Sequence, residues 1–315
     1  MAKKVVVVAV GGNSLITDDR HQTVDDQRLQ AARSMHHIAS LIEDGYEVVV
    51  THGNGPQVGF ILLRSEFARE RLHTVPLDSC GADTQGAIGY NFQMALRNEL
   101  RRRGIQKPVA TIVTQVIVDR EDPAFKNPSK PIGPFYTEEE AKIKQTEPDW
   151  QLMEDAGRGW RRVVPSPKPQ EIVELSVIKK MIEAEVAVIA VGGGGIPVIR
   201  KTNGDIRGIA AVIDKDLASA LLAIELKADF FVISTSVEKV SLNFGKPEQK
   251  NIDKMTVSEA EQFIKEGHFK PGSMLPKVQA TLDFVNKTGK EALITNFEHL
   301  KDALGGRSGT RIVPD

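Results

Sequence analysis

Four residues into the chain an apolar, largely β-branched run begins to dictate the fold: Val5 to Val10 reads VVVVAV, and two glycines follow. With no polar alternation, such a run is a strand that must be covered on both faces. The unit then repeats. EVVVT, VATIVTQVIV, VAVIAV, FFVIS and EALIT are further runs of strand composition, several of them ended by glycine. Between them lie helical patterns. Apolar residues recur from Leu29 at Ala32, Met35, Ile38, Ala39 and Ile42 before a stop at Gly45. VGFILLRSEFA, residues 84–103 closed by Gly104, and residues 173–184, 216–226 and 272–286 read the same way. Asn203 and Gly204 mark a hairpin turn, and a short helix and strand end the chain. Strands alternating with helices predict a parallel α/β sheet buried between helical layers.

One segment breaks the alternation. Residues 119–170 hold eight of the sixteen prolines and both tryptophans, Trp150 and Trp160. A proline-dense insertion this long predicts a small protruding subdomain acting as a lid within a single 315-residue domain. Its TEEEAK stretch places Thr137 and Glu140 at capping-box spacing, so the glutamates read as a helix start and not as paired catalytic carboxylates.

Charge excludes some functions. Lys and Arg number 41 against 42 Asp and Glu, which argues against a nucleic-acid scaffold or a polybasic membrane binder. Arg101 to Arg103 lie at a helix end, where cations suit the dipole. The lone Cys80 allows no intrachain disulfide and, with no export signal or membrane-length run, predicts a cytoplasmic protein. Its surroundings, PLDSCGA, suggest a small core residue.

Chemistry concentrates in three glycine loops after strands: GGNS from Gly11, HGNGPQVG from His52 and GGGGIP from Gly192. In open α/β sheets ligands collect beyond the carboxyl ends of the strands, where glycine lets backbone N–H groups approach an anion. No loop has the Walker pattern or opens a helix with GxGxxG, and no HExxH zinc helix or GxSxG elbow occurs. In AVIDKDLAS, Lys215 sits between Asp214 and Asp216 at a helix start, with Asp216 as the expected cap. Lys130 in NPSKPIGPF and Lys277 in PGSMLPK lie among proline and glycine. Phosphoryl transfer needs mainly positioning and positive charge, which glycine loops and scattered lysines supply.

The loops GGN, THGNGPQVG and GGGGIPVI, together with DPAFKNPSKPIGPF, EDAGRGWRRVVPSPKP, AVIDKDLAS and EGHFKPGSMLPK, closely resemble the carbamate kinase family in this order, nearly end to end. The resemblance implies a three-layer αβα sandwich with a mainly parallel central sheet and a protruding subdomain, in a homodimer. It implies reversible phosphoryl transfer between MgATP and carbamate, giving ADP and carbamoyl phosphate, and in many members used to make ATP. Gly11, Gly12, Asn13, Gly53, Asn54 and Gly55 would then surround carbamate and the transferred phosphate. Lys130 would reach over the site, Lys215 and Lys277 would neutralise phosphate charge, and Asp216 would orient the lysines. Asp214, the segment from Val237 to Phe244, and Gly272, Ser273 and Met274 would serve the nucleotide. Magnesium would ride on the phosphates, with no metal ligands from the protein. Glu238 and Ser14 depart from the aspartate and alanine common in the family. A kinase of another small carboxylate and a non-catalytic nucleotide-binding relative are the alternatives. For Gly192 to Gly195, close backbone packing beside the phosphate is the expected role.

Overall fold

The computed structural model describes residues 3–11, 15, 16, 18, 20–146, 150–154 and 159–315. Strands β1 (Val5–Val10), β2 (Glu47–His52) and β3 (Val109–Thr111) alternate with helices α1 (Val24–Glu43), α2 (Gly55–Phe67) and α3 (Leu77–Arg102). After β4 (Gln115–Val118) come β5 (Lys130–Tyr136), α4 (Glu138–Lys144), β6 (Leu152–Glu154), β7 (Trp160–Val164) and β8 (Pro169–Ile172). There follow α5 (Leu175–Glu183), β9 (Ala187–Ile189), the hairpin of β10 (Ile196–Arg200) and β11 (Ile206–Gly208), α6 (Lys215–Glu225) and β12 (Phe230–Ser234). A second hairpin, β13 (Val240–Leu242) and β14 (Lys250–Ile252), precedes β15 (Lys254–Thr256), α7 (Val257–Lys265) and α8 (Met274–Thr288). β16 (Ala292–Thr295), α9 (Leu300–Leu304) and β17 (Thr310–Val313) complete the series.

Eight strands form the central sheet in the order β15-β17-β16-β12-β1-β2-β9-β3. Every neighbouring pair is parallel except β16 with β17. Side-chain alternation sorts the runs into two cores. Val7, Ala9, Val49, Val188, Phe231 and Ile233 pack toward α6 and α8, whereas Val6, Val8, Val10, Val50, Ile189 and Val232 pack toward α1 and α3. The two-sided burial read from VVVVAV is therefore a helix–sheet–helix sandwich, each strand feeding both layers.

VATIVTQVIV, expected as one strand, is two. β3 pairs with β9 in the central sheet, while β4 joins a second sheet between β10 and β8. The break is held by Gln85 on α3: its Oε1 accepts from Thr114 N (2.7 Å) and its Nε2 donates to Thr114 O (3.0 Å). A buried amide thus supplies the bonds that a strand partner would otherwise give, and the composition of the run, β-branched on both sides of Thr114, does not reveal the change of sheet.

Within the insertion, β5, β7 and β6 form a separate antiparallel sheet. Thr137 and Glu140 make the capping box read from TEEEAK. Gly59 on α2 packs so closely on Gly133 of β5 that a Cβ there would lie 2.1 Å from the Gly133 Cα. Cys80 is fully buried, and burial pushes its thiol up to about 11, as suits an inert core residue. The basic end of α3 folds onto its own Glu99, which receives Arg102 and Arg103. No helix among the described residues is long and apolar enough to cross a membrane.

Candidate functional site

Because β1, β2, β9, β12 and β16 run parallel, their carboxyl ends share one edge, and the second and third glycine loops meet there. The chain leaves β1 at Gly11 and β2 at Gly53, and the Gly53 N–H donates to Val10 O at 3.0 Å. Asn54 is the N-cap residue of α2, yet its side chain makes no cap bond; instead Nδ2 donates to Thr84 Oγ1 on α3 (2.9 Å). The first turn of α2, beginning Gly55-Pro56, thus keeps backbone donors uncapped at the mouth of the crevice. Gly12 and Asn13, and the Ser14 departure, lie outside the described residues.

The four glycines line this edge from the β9 side, each by exclusion of a side chain. A Cβ on Gly192 would lie 2.5 Å from His52 Nε2, and one on Gly193 would lie 2.3 Å from Asn54 Nδ2. On Gly194 it would meet Ile213 O at 2.5 Å, and on Gly195 Val116 Cγ2 at 2.2 Å. Gly193, Gly194 and Gly195 also have φ of 66°, 90° and 88°, a region that other residues enter with strain. Close backbone packing, the role expected of this run, is what the geometry provides. The run seats the second glycine loop against Ile213, the residue that leads into α6.

At the start of α6 the expected cap moves by two positions. Asp214, not Asp216, is the N-cap residue: its Oδ1 accepts from Asp216 N (2.9 Å) and Leu217 N (3.4 Å). The reason is local geometry, since Asp214 has the extended backbone an N-cap needs and Asp216 already lies in the first helical turn. This frees the Asp216 carboxylate for lysines. Lys277 Nζ, brought from α8, donates to Asp216 Oδ2 at 3.0 Å. Lys215 Nζ lies 2.8 Å from Asp216 Oδ1, an ion-pair distance without hydrogen-bond alignment, so this buried ammonium keeps unfilled donor capacity. From the insertion, Lys130 Nζ donates to Asp214 Oδ2 at 2.6 Å. All three lysines read from the sequence therefore converge on the two aspartates that flank Lys215.

Electrostatics follow from burial. Burial lowers the Lys215 pKa, opposed by Asp216, so the ammonium is costly unless anions surround it. For Asp216 burial acts to raise the pKa, but Lys215 and Lys277 outweigh it and hold the carboxyl well below the usual range. The pair is tied to the sheet from below: Ser219 Oγ donates to Lys215 O (2.6 Å) and lies 2.6 Å from Thr51 Oγ1 at the end of β2. Thr51, Thr84, Gln85 and Ser219 escaped the sequence reading. Their signal was weak: polar residues inside strand and helix patterns that turn out to be fully or almost fully buried.

The nucleotide candidates are more scattered. Asp214 belongs to the lysine chain. Gly272, with φ of 70°, and the N-cap Ser273 lead into α8, so Met274 begins the helix that carries Lys277. Val237 is on the loop after β12 and Phe244 on the turn of the β13–β14 hairpin, 55% exposed; neither belongs to the lysine–aspartate chain. Glu238 accepts from Ser308 Oγ at 2.6 Å. Among the described residues no group of three His, Cys, Asp or Glu could hold a metal ion.

Known proteins match the chain over nearly its whole length. Residues 4–296 match the model of the amino acid kinase family. The carbamate kinase of Thermococcus kodakarensis is 52% identical over 313 residues, covering 98% of this chain and 99% of that protein. The carbamate kinase-like protein YahI of Escherichia coli is 49% identical over 314 residues, 99% of each. The solved structure of carbamate kinase from Giardia lamblia bound to AMP-PNP matches with a TM-score of 0.92 at 45% identity, over 100% of this chain and 99% of that one. An N-acetylglutamate synthase of Neisseria gonorrhoeae, 14% identical at a TM-score of 0.58 over 99% of this chain and 62% of its own, shares the fold alone. With glycine loops, lysine chain and full-length identity in agreement, the chain belongs to the amino acid kinase family, among the carbamate kinases.

Proposed function

We propose that the site transfers a phosphoryl group between ATP and carbamate, giving ADP and carbamoyl phosphate, with the lysine–aspartate chain as its electrostatic centre. The convergence of Lys130, Lys215 and Lys277 on Asp214 and Asp216 carries this reading. Carbamate is already an anion, so its oxygen needs no general base; the obstacle is repulsion between two anions, which ammonium and backbone N–H groups relieve. In the reverse direction the same groups stabilise charge moving from carbamoyl phosphate to ADP. Gly11, Gly12, Asn13, Gly53, Asn54 and Gly55 hold carbamate and the transferred phosphate, and Asp216 keeps Lys215 and Lys277 aimed at it. Val237, Phe244, Gly272, Ser273 and Met274 serve the nucleotide.

The residues present suit a magnesium ion bound by the phosphates themselves. Asp214 and Asp216, the carboxylates at the site, are each engaged by a lysine, and a hydrated Mg²⁺ on the nucleotide asks for few protein ligands. When bound, the ion would neutralise negative charge on the phosphates. A cytoplasmic homodimer is the assembly that fits the family.

The reading is tested by ATP formation from ADP and carbamoyl phosphate in a coupled assay. Wild type should turn over, and Lys277→Ala should fall by roughly a hundredfold, the scale of losing one charge-stabilising group. Phosphorylation of acetylglutamate or aspartate in place of carbamate, or no loss in the variant, would overturn it.

A further inference from the structure

Gln57, the third residue of α2, is 7% exposed, and its carbonyl Oε1 is buried with no hydrogen-bond partner among the described residues. The amide cannot simply be turned over. Its Nε2 donates to Gln27 Oε1 (3.2 Å), and Gln27 Nε2 in turn donates to the backbone carbonyl of Gln22 (3.1 Å). A backbone carbonyl only accepts, so Gln27 is fixed, its Oε1 must accept, and Gln57 is left with its carbonyl free. An unfilled buried acceptor costs stability and points to a missing donor.

Position indicates the donor. β1 and β2 are adjacent parallel strands with Val10 opposite His52, and α1 and α2 follow them in turn. The Gln57–Gln27 bond shows that the first turns of both helices meet at the edge where the glycine loops lie. The free carbonyl therefore belongs to the first turn of α2, the turn that begins at Gly55 of the loop assigned to carbamate. Carbamate carries N–H donors where acetate carries a methyl group. The carboxylates at the site are taken by lysines, and an anionic acceptor there would repel the substrate. A neutral, orphaned carbonyl meets the amino group without that repulsion.

We propose that Gln57 accepts a hydrogen bond from the amino group of carbamate and thereby sets the preference for carbamoyl phosphate over acyl phosphates that lack an N–H. This rests on the reading that the site takes carbamate. The experiment compares kcat/KM for ATP formation from ADP with carbamoyl phosphate and with acetyl phosphate, the latter read as a competitive inhibitor if its turnover is too slow. ADP affinity is measured alongside. In Gln57→Met the carbamoyl phosphate value should fall about ten- to a hundredfold, acetyl phosphate should suffer far less, and Gln57→Glu, which keeps an acceptor, should retain more of the preference than the methionine variant. If Gln57→Met loses ADP affinity, Gln57→Asn, with the same amide one carbon shorter, is read for the same shift in ratio. Equal losses with both donors, or an unchanged ratio, would overturn the role of Gln57. Wild type that makes no ATP from carbamoyl phosphate would instead sink the underlying reading.

Discussion

At the scale of single residues the site works by setting charge against burial, and His52 is the clearest measurable case. Its ring is 1% exposed, Nδ1 donates to Gly53 O at 3.0 Å, and Nε2 is left facing Gly192. Burial drives its pKa down to about 4, and Lys215 adds to the shift, so His52 is neutral at pH 7 and shapes the loop without serving as a phosphate-binding cation. Linkage gives the sign. Between about 4 and 6.5 the unfolded chain binds a proton that the folded chain does not, so His52 removes stability as pH falls through that window. The loss amounts to about 3 kcal/mol when complete. Urea unfolding at pH 7 and 4.5 should therefore show a smaller drop for His52→Gln than for wild type; equal drops would refute the assignment. Lys130, Lys215 and Lys277 were legible because each interrupts a glycine, proline or aspartate context. The exchange of roles between Asp214 and Asp216 was not, since either residue could cap and only backbone angles decide.

At the scale of elements, glycine does the docking. Gly59 lets α2 touch β5 at Gly133, three residues from Lys130, and Arg162 on β7 donates to Glu66 farther along α2 (2.8 Å). Moving β5 outward would withdraw Lys130 from Asp214. Gly59→Ala places a methyl group against backbone on that contact, and a displacement of about 1 Å at a charged group can cost on the order of a hundredfold in rate. The expected outcome is that loss in kcat with ADP affinity nearly intact. Gly45→Ala is the control: its φ is 92° with nothing within 4 Å of a Cβ, so it should cost about 1 kcal/mol of stability and leave turnover unchanged. Comparable kcat losses in both variants would show that the Gly59 contact has no special role. Glycines at strand ends could be seen in the sequence as candidates for the site. Their partners could not, because 59 meets 133 and 193 meets 54 only after folding. The β13–β14 hairpin and β15 were missed for a related reason: their strands are three residues long, too short for a period to register.

At the scale of the whole molecule, the sandwich fixes two of the three lysines and leaves the third to the insertion. Lys215 and Lys277 belong to α6 and α8, which pack on one face of the central sheet, whereas Lys130 comes from a three-stranded sheet outside it. The alternation of runs made the sandwich readable, and proline density marked where it is interrupted, but neither told that β8 returns to pair with β4. We propose that residues 119–170 act as a lid, with Lys130 exchanging Asp214 for substrate phosphate. An ammonium held 2.6 Å from a carboxylate at 31% exposure can make that exchange at small cost, because a partly solvated pair contributes little net stability. Bound phosphates would add attraction across the gap between insertion and α6 and would lower the population of open forms. Trypsin reports on that population, since the insertion carries Lys142, whose side chain is 70% exposed, on the short helix α4. Nicking within residues 119–170 should slow when ADP and carbamoyl phosphate are both present. In Lys130→Met, which keeps the fold of the insertion and removes its charge, the protection should be largely lost. Equal nicking rates with and without ligands in wild type would mean that the insertion does not close, and Lys130 would then act from a fixed position.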